Sequence, residues 1–223
     1  MEIKLDKIVC QNIDGYQNSK RSLPFWIAKI IFSYESSIFD KAIITAIEAE
    51  AYKLAGAVNP GAANNAVDKR TEARLLSNSM AGVLSEYAWK TFLNCASVDL
   101  LVQETPFVDA MTQIDLVTVN RQDNLLLEVR SSFPRNGVEF AICHEMYEFD
   151  ILGPYCNDYK PSEVQKNYYL RALYHVSSPE EFLQAIKKNH FICHLTGGAS
   201  WEMMMDDDIA INKTLIPEDT VGK

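Results

Sequence analysis

The chain has 223 residues and a net charge of −9; 48% of its residues are hydrophobic and 23% are charged, with only 9 Gly and 8 Pro. This composition is typical of a globular protein with a sizeable core, and it excludes a disordered, collagenous or low-complexity chain. The acidic balance excludes a protein that coats nucleic acid through a general basic surface, but it does not exclude a nuclease with a local basic site.

The sequence also bears on the cellular compartment. The most apolar early stretch, residues 23–32, is too short to span a bilayer and contains Lys29. The pattern of a signal peptide is not found, and the 5 cysteines never form a Cys-x-x-Cys pair. We therefore expect a cytoplasmic protein with reduced cysteines and no contact with membranes.

Helices are predicted for the first third of the chain. Residues 36–55 show helical spacing of apolar side chains with alanine-rich filler. The Pro, Gly and Asn residues of 58–65 then break regular structure, and a second helix is predicted over 67–93. We accordingly expect an N-terminal helical segment at 1–60 and a main domain at 61–223.

The rest of the chain changes to a strand-like pattern. A serine cap followed by proline and acidic residues predicts a helix that begins near Ser178. Helices followed by strands, and then by mixed helix and strand, indicate an α/β fold of mixed α+β type, with a central mixed sheet flanked by helices. Short β-branched or leucine-rich runs between polar turns predict the following strands: 100–104, 114–119, 124–131, 138–143, 168–176 and 191–196.

Two carboxylates lie in strands that are otherwise apolar. Asp115 lies within residues 114–119, and Glu128 lies within residues 124–131. A buried ionised carboxylate is costly, so each acid needs a cation or a proton. A symmetric hairpin places Asp115 directly opposite Glu128, where like charges repel each other. A divalent cation such as Mg²⁺ or Mn²⁺, which prefers oxygen ligands, would convert this repulsion into coordination.

A third side chain accompanies this pair. Arg130 is two residues beyond Glu128, so the two side chains point to the same face of the strand. Its guanidinium is placed to hold a phosphate or to stabilise a developing negative charge. One alternative stays open, because a buried ion pair between an acid and Arg130 that only stabilises the sheet has the same pattern.

These segments, with the helical stretch that contains Gly82 and Glu86, resemble the PD-(D/E)XK nuclease superfamily, which includes restriction endonucleases. The family pattern is an acid on the first core helix, an Asp on the second strand and Glu-x-Lys on the third. The resemblance implies that Glu86 is the helix acid and Asp115 the strand Asp. Glu128 and Arg130 then match the Glu-x-Lys pair, with arginine in place of lysine. A restriction-endonuclease-like core is the fold that this resemblance implies.

The resemblance also implies a function. The chain is expected to be a Mg²⁺- or Mn²⁺-dependent nuclease that hydrolyses phosphodiester bonds, with DNA as its substrate. Asp115, Glu128 and the Val129 carbonyl would bind the metal, and Glu86 would reach it through water. Arg130 would stabilise the charge of the reacting phosphate. The N-terminal segment would serve contacts in a homodimer or the reading of DNA shape.

Alternatives to this function stay open. Arginine cannot act as a base at ordinary pH, so the chain could have lost cleavage and serve as a nucleic-acid-binding or scaffold module of the same fold. A zinc-stabilised interaction domain is a further alternative, which two Cys-His pairs at 143–144 and 193–194 suggest. The spacing of these pairs fits no zinc-finger pattern. Lys69, Arg70 and Arg74 are candidate contacts to a nucleic-acid backbone, and a solvated helix face is the alternative for them.

Overall fold

The computed structural model describes residues 1–9, 24–57, 71–108, 113–120, 122–134, 137–143, 164–176 and 178–209. These residues form a seven-stranded mixed sheet flanked by helices, so the expected class of fold is confirmed. The strands are β1 (Glu2–Val9), β2 (Pro24–Phe32), β3 (Val102–Glu104), β4 (Leu116–Thr118), β5 (Leu126–Ser132), β6 (Tyr168–Tyr174) and β7 (Phe191–Ser200). The helices are α1 (Ile38–Ala57), α2 (Glu72–Ala96), α3 (Val138–Cys143), α4 (Pro179–Ala185) and α5 (Trp201–Met205).

The sheet has the strand order β1-β2-β7-β6-β5-β4-β3. Every neighbouring pair is antiparallel except β5 and β6, which run parallel. A parallel pair needs a long crossover connection, and α3 lies within the segment that joins these two strands. The carboxyl ends of β5 and β6 therefore lie at the same edge of the sheet.

Helices cover both faces of the sheet. Buried residues of α1 and α2, among them Ile47 and Leu84, pack with residues of β2, β5, β6 and β7 in the main core cluster. On the opposite face a smaller cluster joins Val138 and Ile142 of α3 to strand residues that include Leu173. Among the helices that the structure describes, none has the length and apolar character needed to cross a membrane.

The expectation of an N-terminal helical segment at 1–60 is wrong where the structure describes β1 and β2. β2 lies between β1 and β7, and it is apolar along most of its length because both of its faces are covered. A short apolar run of this kind does not by itself distinguish a buried strand from a helix. The helix expected at 36–55 is present as α1. The domain boundary near residue 60 lies outside the described residues.

Residues 138–143 form the helix α3, so the strand expected there is also wrong. Val138 and Ile142 are four residues apart and are both buried, which is the spacing of one helical face. Gly137 precedes the helix with a φ of 89°, a left-handed conformation that glycine adopts readily. The second predicted helix is α2; in the described residues it begins at Glu72, with the side chain of Thr71 as its cap.

Candidate functional site

The β4–β5 hairpin has the register that its turn predicts. Leu116 pairs with Leu127, and continuing this register by one residue places Asp115 opposite Glu128. The side chains of both acids are buried, with Asp115 7% and Glu128 5% exposed. The structure therefore brings together the two carboxylates that the sequence pairs.

The backbone ladder between β4 and β5 gives way to a side-chain contact at Asp115. Oδ2 of Asp115 accepts a hydrogen bond of 2.7 Å from the backbone N–H of Val129. Thr118 donates its N–H to the Leu125 carbonyl, so alternate residues of β5 direct their backbone groups toward β4. The Val129 carbonyl consequently lies on the same side of β5 as the Asp115 carboxylate.

Two cations hold the Glu128 carboxylate. Nη1 of Arg130 lies 3.0 Å from Oε1 of Glu128, and Nζ of Lys166 lies 2.9 Å from Oε2. The side chain of Lys166 is completely buried, with 0% exposure. Lys166 was missed by the sequence reasoning, because it precedes β6 and meets Glu128 only through the parallel pairing of β5 with β6. No local pattern around Lys166 indicates this contact.

Helix α2 carries Glu86 toward the same region. The hydroxyls of Ser85 and Tyr174 lie 2.6 Å apart, and each donates to the Ala81 carbonyl, which holds this part of α2 against β6. Gly82 does not explain the position of the helix, because a Cβ added there would meet no atom within 4 Å. The buried hydrogen bonds of Ser85 and Tyr174 account for the position of this part of α2 instead.

The surroundings of Glu86 are acidic. Its side chain is partly exposed, yet burial of its carboxyl group raises the pKa of Glu86 well above the ordinary value. Other carboxylates add to this rise in pKa, in the order Asp115, Glu104, Glu50 and Glu128. Glu86 is thus close enough to interact electrostatically with both strand acids, and it favours a proton or a cation nearby.

Asp115 shows a related effect. Burial, and then the negative charge of Glu128, raises the pKa of Asp115 to about 7. The Val129 N–H and the charges of Arg130 and Lys166 oppose this rise. Because the pKa values of both Asp115 and Glu86 are raised, a further cation in this region would favour their ionised forms.

The donors fit a hard divalent cation in kind but do not form a complete centre. The carboxylates of Asp115 and Glu128 and the Val129 carbonyl are oxygen donors of the type that Mg²⁺ and Mn²⁺ prefer. Within the described part of the chain, however, no three His, Cys, Asp or Glu side chains are arranged to hold a metal ion. The predicted set consists of two carboxylates, one carbonyl and a Glu86 that acts through water, so that finding does not test it. A metal would compete with Arg130 and Lys166 for Glu128.

The remaining predicted residues lie elsewhere. Lys69 and Arg70 lie outside the described residues. Arg74 is exposed in the first turn of α2. Glu86 is 12 positions further along the helix, a separation of ~18 Å along the helix axis. Cys193 and His194 are both buried in β7, where successive side chains point to opposite faces.

Comparisons with protein-family models, with curated proteins and with solved structures find no match for this chain. A function for the chain therefore depends on the chemistry of its own residues. The chemistry present is a pair of buried carboxylates on neighbouring strands, a partly exposed acid on a helix, and two cations bound to one of the carboxylates.

Proposed function

We propose that the chain is a Mg²⁺- or Mn²⁺-dependent nuclease that hydrolyses phosphodiester bonds, with DNA as its substrate. The observation that carries this proposal is the pairing of Asp115 and Glu128, two buried carboxylates on adjacent strands. The arrangement concentrates negative charge, which a divalent cation would offset, beside Arg130, which can bind a phosphate oxygen.

The order of elements supports membership of the PD-(D/E)XK superfamily as part of the same proposal. Helix α2 carries Glu86 and is followed by β3, then by β4 with Asp115 directly before it, and then by β5 with Glu128 and Arg130. The family pattern has its helix acid, its second-strand Asp and its Glu-x-Lys pair in this order. The proposal further includes a homodimer and a cytoplasmic location.

The residues would divide the work of hydrolysis among them. Asp115, Glu128 and the Val129 carbonyl would hold the metal, which lowers the pKa of water and offsets the charge on the phosphate. Glu86 would orient the attacking water from the helix side. The water oxygen forms a bond to phosphorus and loses a proton to solvent, while the bond from phosphorus to the leaving oxygen breaks and that oxygen takes up a proton from solvent. Arg130 would bind the phosphate oxygens, on which negative charge increases during this step.

Nicking of a supercoiled plasmid tests this proposal. We expect the wild-type protein to nick the plasmid with Mg²⁺ or Mn²⁺ and not with a chelator. Asp115→Asn and Glu128→Gln should each lower the rate by about 100-fold or more, because each removes a charged oxygen ligand. Asp123→Asn is the matched control, since Asp123 is an exposed acid in the turn of the same hairpin. Equal rates in all four proteins, or nicking that survives the chelator, would contradict the proposal.

A second function is favoured by the occupation of Glu128. Both oxygens of this carboxylate are already bound by cations, Arg130 and Lys166, as in an ion-pair network that only stabilises a sheet. In this second function the chain would bind nucleic acid without cutting it, or would act as a scaffold. It predicts retention of DNA on the wild-type protein with no nicking at any metal concentration, and retention unchanged in Glu128→Gln.

A further inference from the structure

Lys166 is a lysine whose side chain is completely buried beside the candidate site. Its side chain has 0% exposure, and its ammonium lies 2.9 Å from Oε2 of Glu128. Burial of an ammonium is unfavourable unless a negative partner compensates for the lost hydration. A negative partner here is Glu128, one of the two strand acids of the candidate site, so Lys166 is tied to that site.

The backbone around Lys166 is held firmly in place. Asn167 donates its N–H to the Leu126 carbonyl and accepts the Leu126 N–H on Oδ1, at 2.9 and 2.8 Å. The N–H of Lys166 donates to the hydroxyl of Tyr169 at 3.1 Å, and the N–H of Trp201 donates to the Asn167 carbonyl. The segment before β6 is therefore pinned to β5, to its own strand and to α5. These bonds present the lysine to Glu128 from a defined direction.

Arg130 and Lys166 differ in what they can contribute to the site. Each binds a different oxygen of Glu128, so the carboxylate is oriented from both sides. A guanidinium keeps its charge and offers a rigid planar fork, whereas an ammonium is a compact charge that can also exchange its proton. The family pattern places a lysine at residue 130, and in this chain the lysine near Glu128 comes from the segment before β6.

We propose that Lys166 is the positioning lysine of the site: it orients Glu128 and offsets its charge, in place of the lysine that is absent at residue 130. This inference rests on the proposed nuclease function and deepens it. Lys166 acts through Glu128 and not by contact with the substrate, because its side chain is completely buried. The substitution of arginine at residue 130 therefore does not leave the site without a lysine.

The first test measures plasmid nicking and Mn²⁺ affinity in Lys166→Met. Nicking should fall by about 100-fold, because Glu128 loses half of its support, while Mn²⁺ should bind as tightly as before or about tenfold more tightly, because a competing cation is gone. A purely structural lysine would lower both quantities together. Lys187→Met is the matched control, since it breaks a remote lysine–glutamate pair with Glu48 of 2.7 Å and should change neither quantity.

The second test moves the lysine. Arg130→Lys in the Lys166→Met background should restore nicking by about tenfold or more, because an ammonium again reaches Glu128. In the wild-type background, Arg130→Lys should not raise the nicking rate by about tenfold or more, because Lys166 already supplies the ammonium. This single variant leaves the buried ion pair of Lys166 intact, so it remains informative if Lys166→Met does not fold.

The outcomes separate this inference from the proposed function. Wild-type nicking together with an unchanged rate in Lys166→Met would overturn the role of Lys166 and leave the nuclease intact. A rise above about tenfold in the single variant Arg130→Lys would overturn it as well, because such a rise shows that the site lacked a lysine. Absence of metal-dependent nicking in the wild-type protein would overturn both proposals.

Discussion

Glu128 and Asp115 show two ways in which a buried carboxylate is stabilised within one site. Glu128 is held by Arg130 and Lys166, so its charge is offset by direct ion pairs. Asp115 receives a hydrogen bond from the Val129 N–H, and its pKa is nevertheless raised to about 7 by burial and by Glu128. The charge state of Asp115 therefore responds to a cation or a proton near neutral pH.

His194 allows a prediction about pH at the residue scale. Burial, and then the charge of Lys29 on the neighbouring strand, lowers the pKa of His194 from 6.5 to about 4, and His175 adds to this effect. The backbone of Leu173 and the charge of Asp6 oppose it. Because the folded pKa is lower than the unfolded one, the unfolded chain binds the proton first as the pH falls. The contribution of His194 to the free energy of unfolding should therefore decrease between pH 6.5 and pH 4.

Urea unfolding of the wild-type protein and of His194→Gln at several pH values measures this effect. The loss of stability that His194 causes across the window should reach about 2–3 kcal/mol. The wild-type protein should therefore lose this amount of stability relative to His194→Gln as the pH falls from 6.5 to 4. Parallel curves for the two proteins would show that His194 does not titrate on unfolding.

At the scale of elements, an irregularity between β6 and β7 lies beside the candidate site. Leu170 pairs with Gly198, and Ala172 pairs with Leu195, so β7 has one extra residue opposite β6 at this point. Gly197 has a φ of 101°, a backbone conformation that is unfavourable for residues with a Cβ atom. Bulges of this kind increase the local twist of a strand. Gly197 and Gly198 therefore lie within β7, and the strand does not end near residue 196 as expected.

Gly198 is the position where this packing is tightest. A Cβ added there would lie 2.4 Å from the carbonyl oxygen of Tyr169, a backbone atom that cannot move without disturbing β6. Gly198→Ala should lower the free energy of unfolding by about 1–3 kcal/mol through overpacking. Gly82→Ala is the matched control, because a Cβ there meets no atom within 4 Å and alanine favours a helix by about 1 kcal/mol.

Urea denaturation of both variants and of the wild-type protein distinguishes the two positions. We expect the midpoint for Gly198→Ala to lie below that of the wild type and the midpoint for Gly82→Ala to lie at or above it. A urea midpoint for Gly198→Ala at or above that of the wild type would mean that the close approach of β6 and β7 does not require glycine.

At the scale of the whole molecule, the proposed metal binding would be coupled to folding. Asp115 and Glu128 lie on opposite arms of the β4–β5 hairpin. A cation that both carboxylates bind can therefore bind only the folded chain. Mn²⁺ at about 100 times its dissociation constant should stabilise the folded protein by about 2.7 kcal/mol. The Tm should therefore rise with Mn²⁺ in the wild-type protein and in Asp123→Asn, and it should rise far less in Asp115→Asn.

Thermal unfolding with increasing Mn²⁺ measures this coupling without reference to cleavage. The net charge of −9 allows weak binding of cations to surface acids, which is why the comparison with Asp123→Asn is needed. An equal rise of Tm in Asp115→Asn would assign the metal to the general acidic surface and remove it from the hairpin.

Local sequence information is enough for those parts of this protein that neighbouring residues build. The helices α1 and α2 follow from periodic apolar residues and good helix formers. The register of β4 and β5 follows from a short turn and the two-residue period of strands, and it brings Asp115 opposite Glu128. These features depend on contacts between residues close in sequence.

Only the tertiary structure decided the rest, because it depends on contacts between residues that are far apart in the chain. β2 is a strand because it lies between β1 and β7, although its apolar run is equally compatible with a buried helix. Lys166 joins Glu128 because β5 and β6 pair in parallel, and no spacing rule connects a residue before one strand to the middle of another. The sequence by itself therefore determined the carboxylate pair of the candidate site, and the three-dimensional pairing of strands determined which lysine accompanies it.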